Sequence, residues 1–121
     1  MNSNESNKYY VIDTFSIRMF SYFPVKPTID KLDKDEFCAE VDVRLSNGQL
    51  VSALRYESSS KIIDVLCGIK LQPNRISIKL NDGDSMLLLL PMIEPNDKDL
   101  NNEIIRWLYK KGRIEFYKIS L

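Results

Sequence analysis

The chain has 121 residues, of which 44% are hydrophobic and 28% are charged, a composition that indicates one soluble folded domain and excludes an intrinsically disordered chain. Its 17 Lys and Arg residues balance its 17 Asp and Glu residues, which excludes the broadly basic surface of a general nucleic-acid coat protein. The sequence contains no histidine, so any catalysis depends on Lys, Tyr, Ser, Cys or carboxylates, or on positioning alone. We therefore predict no long nucleic acid as a partner, no metal and no cofactor.

The amino-terminal residues 1–8 are polar and lack the apolar core of a signal peptide, so we predict a flexible leader. The longest apolar run, Met86 to Leu90, is far too short to cross a membrane. These features predict a cytoplasmic protein with no membrane partner and a single domain over residues 9–121.

The first half of the chain predicts two strands, a helix and a hairpin. Residues 9–17 are aromatic and β-branched on both faces, which indicates an interior strand, whereas Pro27 confines the strand over 27–32 to an edge. Asp33 and Glu36 form a capping-box pattern that opens a short helix over 33–41. The Asn-Gly pair within 46–49 predicts a β-hairpin that leads into a strand ending at Leu54.

The second half predicts two longer helices and three strands. Residues 58–67 carry a helical apolar stripe, with a serine as cap and Gly68 as terminator. Alternation over 75–80, a tight turn and the apolar run 86–90 predict a second hairpin. A helix over 97–111, with Leu100, Ile104, Trp107 and Leu108 as its apolar stripe, and a strand over 113–121 complete the chain. This order indicates a mixed sheet flanked by helices, in the α/β or α+β class.

The two cysteines, Cys38 and Cys67, both lie in apolar sequence. Two thiols do not make a secreted disulfide scaffold, and without histidine they do not make an ordinary zinc site. We predict two buried, reduced thiols.

Three polar clusters are candidates for a binding site. Residues 54–61 place three serines beside Arg55 and Lys61 where a strand runs into a helix, an arrangement that attracts phosphate. Residues 13–16 put hydroxyls and a carboxylate at the end of a central strand, and Arg75 opens a later strand. Each cluster also has a structural interpretation: an ordinary helix cap, polar groups that satisfy backbone, and a solvated arginine. Together they are hydroxyls and cations without a base, which suits anion binding better than hydrolysis.

Several segments resemble a known family. They read IDTFSI, FPVKPTIDKLDKDEFC, VSALRYESSSKIIDVLCGI, PNRISIKLNDGDSMLLLL and IEFYKISL, and the resemblance covers nearly the whole chain, from about residue 9 to residue 119. This set resembles the viral ring nucleases, also called type III anti-CRISPR proteins, of archaeal viruses and phages.

The resemblance implies a mixed sheet with helices and a homodimer whose two-fold axis passes through the ligand pocket. It also implies a function. Family members degrade cyclic tetra-adenylate, an alarm molecule of type III CRISPR systems, by metal-independent attack of a ribose 2′-hydroxyl on the neighbouring phosphate, assisted by a histidine.

The sequence departs from this family at three positions. Tyr56 occupies the position of the catalytic histidine, and a tyrosine is a poor general acid–base at neutral pH. Glu94 occupies the best-aligned position of an arginine that covers the ligand in relatives, and Asp13 stands where relatives often have asparagine. The ligand-binding residues implied by the candidate clusters and the resemblance are Asp13, Ser16, Arg55, Glu57, Ser58, Ser59, Asn74 and Arg75.

Three hypotheses follow. The first is a protein that binds and sequesters a cyclic oligoadenylate, with cleavage weak or absent. The second is a slow ring nuclease that relies on the in-line geometry of the ring. The third is a protein-interaction module without enzymatic activity that acts against a host defence complex.

Overall fold

The computed structural model describes residues 7–92 and 100–121. In chain order the secondary structure is β1 (Tyr9–Ile12), a short 3₁₀ helix (Ile17–Met19), β2 (Thr28–Leu32), α1 (Lys34–Ser46), β3 (Leu50–Ala53), α2 (Glu57–Cys67), β4 (Ser85–Pro91), α3 (Asn102–Lys110) and β5 (Ile114–Ser120). The predicted leader, residues 1–8, lies largely outside the described residues. None of the helices in the described ranges has the length and hydrophobicity needed to span a bilayer.

The five strands form one mixed sheet in the order β2-β5-β4-β1-β3. β1 pairs in parallel with both β3 and β4, whereas β5 runs antiparallel to β4 and β2. All four residues of β1 are buried, which confirms an interior strand over Tyr9–Ile12, but the predicted continuation to residue 17 is wrong, because the chain leaves the sheet after Ile12 and forms a 3₁₀ helix from Ile17. β2 is an edge strand, as the proline predicted.

The two faces of the sheet are covered differently. One face packs against the helices through a cluster that includes Phe37, Ile62 and Ile105. The cluster on the opposite face contains no residue of α1, α2 or α3; Phe20 and Leu80 cover it from irregular segments. The chain is therefore a single α+β domain, which confirms the predicted class.

Helix α1 begins at the predicted capping box. The Asp33 carboxylate accepts a hydrogen bond from the Glu36 N–H at 2.7 Å, and the Glu36 carboxylate accepts one from the Asp33 N–H at 2.9 Å. The helix then continues to Ser46, beyond its predicted end, and the predicted Asn-Gly hairpin is wrong. Gly48 has a φ of +69°, the left-handed conformation that ends helices as readily as it turns hairpins.

Removing the cap of α1 should destabilise the protein measurably. We expect Asp33→Ala to lower the free energy of unfolding by about 1 kcal/mol, because the Glu36 N–H loses its acceptor. Urea denaturation followed by circular dichroism measures this change. The matched control is Asp35→Ala, in the same helical turn but outside the capping box; an equal loss in both variants would show that helix-dipole charge, and not the cap, is responsible.

A disulfide joins Cys38 in α1 to Cys67 at the end of α2, so the prediction of two reduced thiols was wrong. Both helices cover the same face of the sheet, and the last residue of α2 lies against the second turn of α1. The bond therefore links the two helices covalently across 29 residues of sequence.

The predicted second hairpin is also wrong, because residues 75–79 are irregular and Leu80 makes only an isolated bridge to Phe20. β4 already has β1 and β5 as its two neighbours, so no edge of it is free to pair with this segment. The alternating apolar residues of this segment are buried in part: Ile78 and Leu80 lie against the sheet, whereas Ile76 is 41% exposed.

The other two helices agree with the sequence in part. α2 ends at Gly68 as predicted, but Tyr56, and not a serine, is its N-cap, without a side-chain cap hydrogen bond. α3 begins at Asn102, and the predicted start at Asp97 lies outside the described residues. Of the predicted apolar stripe, Leu100 and Leu108 are buried, but Ile104 and Trp107 are exposed, and Ile105 takes the core position instead.

A polar network ties α1 to the sheet near the amino end of β1. The Glu40 carboxylate accepts hydrogen bonds from the Tyr9 hydroxyl at 2.7 Å and from Lys118 Nζ at 3.3 Å. Partial burial opposes ionisation of Glu40, but these bonds, with the charges of Lys118 and Arg44, outweigh it and lower the pKa of the carboxyl. Burial, reinforced by Glu40, raises the pKa of Tyr9.

This network predicts how stability changes with acid. A carboxyl whose pKa is lowered in the folded state contributes stability above its unfolded pKa, and this stability is lost as pH falls through the folded value. We expect Glu40→Gln to be less stable than the parent at neutral pH, with the difference shrinking below the ordinary pKa of glutamate. Thermal denaturation across pH measures it; a difference that stays constant from neutral to acidic pH would contradict an electrostatic contribution.

Candidate functional site

The candidate residues converge at the edge of the sheet where the parallel strands β1 and β3 end. Asp13 and Ser16 follow β1, and Arg55 and Tyr56 connect β3 to α2. Because neighbouring parallel strands end at the same edge, the fold brings together groups that are about 40 residues apart in sequence, as the 42-residue separation of Asp13 and Arg55 shows.

Asp13 holds the connection between β3 and α2. Its carboxylate accepts hydrogen bonds from the backbone N–H of Arg55 at 2.9 Å and of Tyr56 at 3.1 Å, and the residue is only 9% exposed. The Asp13 carboxylate is thus occupied by hydrogen bonds from backbone N–H groups at the start of α2. This matches the structural interpretation of Asp13 given above, and it makes Asp13 a positioning residue.

Loss of the Asp13 carboxylate should loosen this connection. We expect Asp13→Ala to lower the free energy of unfolding by roughly 2 kcal/mol, because two buried N–H groups lose a charged acceptor. Asp13→Asn keeps one acceptor oxygen and should cost less. Chemical denaturation of the three proteins measures the order; equal stability of all three would contradict a positioning role.

Two arginines lie together on the solvent side of this connection. Arg75 Nε donates a hydrogen bond to the backbone carbonyl of Arg55 at 3.0 Å, and both side chains are exposed. Asn74, the residue before Arg75, anchors this segment beside β3. Its backbone N–H donates to the Leu54 carbonyl at 2.7 Å, and its Nδ2 donates to the Ser52 carbonyl at 2.9 Å. Within the described residues, the terminal nitrogens of Arg75 make no hydrogen bond to protein, which leaves them available to an anion.

Lys79 is a further cation, bonded to the segment that follows β1. Lys79 Nζ donates to the backbone carbonyl of Arg18 at 2.8 Å, and the Arg18 N–H in turn donates to Ser16 Oγ at 3.2 Å. Sequence analysis missed Lys79, although its polar position in the alternating segment 75–80 was the available signal.

The start of α2 presents its candidate residues unequally. Tyr56 and Ser58 are half-buried and Glu57 is exposed, whereas Ser59 is 1% exposed and packs in the interior. Direct contact with a ligand is therefore open to Tyr56 but not to the Ser59 side chain in this conformation. Glu94, which the resemblance aligned with an arginine of the ring nucleases, lies outside the described residues.

The site is thus a group of cations and hydroxyls at one sheet edge, with its nearest buried carboxylate occupied by backbone N–H groups. In the part of the chain that the structure describes, no three His, Cys, Asp or Glu side chains come together as a metal site. Such an arrangement can bind and orient an anionic ligand.

Comparison with known proteins places this small α+β domain among proteins of archaeal viruses. The STIV B116-like family model matches residues 9–96, and the chain belongs to that family. The solved structure of B116 of Sulfolobus turreted icosahedral virus (STIV) superposes with a TM-score of 0.86 at 35% identity, covering 95% of this chain and 100% of that one. ORF116 of Acidianus filamentous virus 1 is 30% identical over 74 residues, which are 60% of this chain and 64% of that protein.

Proposed function

We propose that this protein binds a cyclic oligoadenylate, with cyclic tetra-adenylate as the first candidate, and sequesters it without efficient cleavage. In this proposal it acts in the host cytoplasm as an anti-CRISPR protein that removes a defence signal. The resemblance described above suggests the ligand. The fold and family membership are compatible with it, and the chemistry of the site supports it.

The observation that carries the proposal is the hydrogen bond from Arg75 Nε to the Arg55 carbonyl at 3.0 Å. This bond holds the Arg75 guanidinium beside Arg55, in the connection between β3 and α2 to which Tyr56 also belongs. Arginine binds phosphate through a planar set of donors, and an aromatic ring stacks on a base, so phosphate and adenine each have a partner here.

The same site lacks the usual means of cleaving RNA. The sequence has no histidine, and Tyr56 stands where the ring nucleases carry theirs. Loss of a general acid typically lowers the rate by about 10²–10⁴-fold. We therefore propose a protein that keeps the cations that bind the ligand and has lost most of the catalytic activity that would cleave it.

A homodimer is part of this proposal. Three apolar side chains border the site and face solvent: Phe15 is 40% exposed, Ile17 is 65% exposed and Ile76 is 41% exposed. A second copy that covers them would bring two sites together around one ring of matching symmetry.

Native mass spectrometry of the protein mixed with cyclic tetra-adenylate tests the proposal, because one spectrum reports oligomeric state and ligand mass. We expect a dimer that carries one intact ring. Arg75→Ala should lose the ring, whereas Lys26→Ala, a change of a distant exposed cation, should retain it.

Two other outcomes would replace the proposal. A dimer carrying linear di-adenylate would identify a slow ring nuclease that works without histidine. A protein that carries no nucleotide at any ring size would exclude the binding function and favour the third hypothesis, a module that recognises a host defence protein.

A further inference from the structure

The outer face of α3 presents two large apolar side chains to solvent. Trp107 is 51% exposed and Ile104 is 37% exposed, and a spacing of three residues puts both on one side of the helix. The core is already filled from this helix by Ile105 and Leu108, which are 0% and 5% exposed. The exposed pair therefore contributes little to folding.

Four exposed cations lie on α3 or just after it, namely Arg106, Lys110, Lys111 and Arg113. The Arg113 guanidinium lies 6.0 Å from the centre of the Trp107 ring, and Glu103 is the single carboxylate of α3. Among the described residues, none of the four cations forms an ion pair. Within the described residues, α3 and the three residues that follow it thus carry four cations and one carboxylate, although the whole chain is neutral.

The helix dipole explains only part of this arrangement. Cations at the carboxyl end of a helix are favourable, which accounts for Lys110 and Lys111. It accounts neither for Arg106, a turn earlier, nor for the exposed indole of Trp107. Tryptophan and arginine are the residue types most enriched among the energetically dominant residues of protein interfaces.

We propose that the outer face of α3 is a docking surface for an acidic polypeptide segment that carries an apolar side chain. The four cations require negative charge in the partner, and the adjacent Ile104 and Trp107 require an apolar group beside that charge. A nucleic acid would supply phosphates and a base for Trp107 but no aliphatic partner for Ile104. The inference does not depend on the proposed cyclic ligand, because none of the side chains that form this surface is one of the site residues at the ends of β1 and β3.

The single tryptophan of the chain, Trp107, lies in the middle of this surface and reports on it directly. The probe is a short synthetic peptide of glutamates with two leucines one helical turn apart. We expect a saturable shift of Trp107 emission to shorter wavelength, and an affinity that falls as salt rises. The double variant Lys110→Glu/Lys111→Glu should bind at least about tenfold more weakly.

The control variant is Lys26→Glu, which should bind as the parent does. Lys26 precedes β2, whose first residue Thr28 pairs with Ser120, at the opposite end of β5 from Arg113. An equal response to a lysine–leucine peptide, or no shift with the glutamate–leucine peptide, would overturn the proposal. A shift with single-stranded RNA only would overturn it in favour of a nucleic-acid surface.

This test is separable from that of the proposed function. The Lys110→Glu/Lys111→Glu variant should retain cyclic tetra-adenylate, because neither lysine belongs to the site at the ends of β1 and β3. Loss of the peptide with retention of the ring isolates the docking surface, and loss of both in a variant with unchanged circular dichroism would contradict two independent surfaces.

Discussion

Tyr56→His is expected to raise the rate of cyclic tetra-adenylate cleavage by about 10²–10⁴-fold over the parent protein. Tyr56 is the N-cap of α2, and its backbone N–H is held by the Asp13 carboxylate at 3.1 Å. An imidazole on that fixed backbone would start from the position that the resemblance aligns with the catalytic histidine of the ring nucleases. In its protonated form it would donate a proton to the leaving 5′-oxygen, while the 2′-hydroxyl attacks the phosphate and releases its own proton to water. Single-turnover assays with labelled cyclic tetra-adenylate measure the rate.

The matched control is Glu57→His, which adds a histidine one residue later at an exposed position of the same helix. It should not raise the rate, because the neighbouring residue projects in a different direction from the helix. Cleavage that rises equally in both variants would indicate non-specific imidazole catalysis. A Tyr56→His variant that binds the ring but does not cleave it would show that the pocket no longer holds the ribose in line. A parent protein that already cleaves, and stops with Tyr56→Phe, would favour the slow ring nuclease.

Reduction of the Cys38–Cys67 disulfide is expected to lower the free energy of unfolding by roughly 3–4 kcal/mol, the entropy difference for a closed loop of about 30 residues. Chemical denaturation with and without a thiol reductant measures the difference. The double variant Cys38→Ser/Cys67→Ser should have the stability of the reduced parent and should not respond to reductant.

Two observations would contradict this prediction. One is the titration of two free thiols in the folded, unreduced parent. The other is an unfolding midpoint that is the same with and without reductant, which would show that the helix packing around Phe37 and Ile62 alone sets the stability.

The sequence predicted those parts of the fold that depend on neighbouring residues. The capping box at Asp33 and the Gly68 terminator are local signals, and both are where they were expected. The prediction failed where one local sequence pattern is compatible with two different structures. A glycine with positive φ follows Asn47 in either a hairpin or a helix end, and in the continued helix Arg44 lies over the Tyr9 ring at 4.4 Å, a contact between residues far apart in sequence. Residues 75–80 alternate as a strand does, but the sheet offers them no free neighbour.

The disulfide and the candidate site also depend on contacts between distant residues, which local sequence patterns do not predict. Cys38 and Cys67 meet only because two helices lie side by side on one face of the sheet, a contact that no local pattern encodes. The expectation of reduced thiols rested on the apolar sequence around each cysteine and on there being only two, and neither observation excludes a bond between two packed helices. Among the candidate site residues, Asp13, Arg55 and Arg75 were predicted together. Only the structure shows that the Asp13 carboxylate accepts a hydrogen bond from the Arg55 backbone N–H.

The pairing of β2 has a consequence for the order in which the protein forms on the ribosome. β2 has β5 as its one neighbour in the sheet, and Thr28 pairs with Ser120. An early segment of the nascent chain must therefore remain without its strand partner until nearly the whole domain has been synthesised. Strand pairings of such long sequence separation form slowly. During this interval Ile29 and the neighbouring backbone are open to wrong partners, so a virus-infected cell that makes many copies at once would form mispaired chains through this segment first.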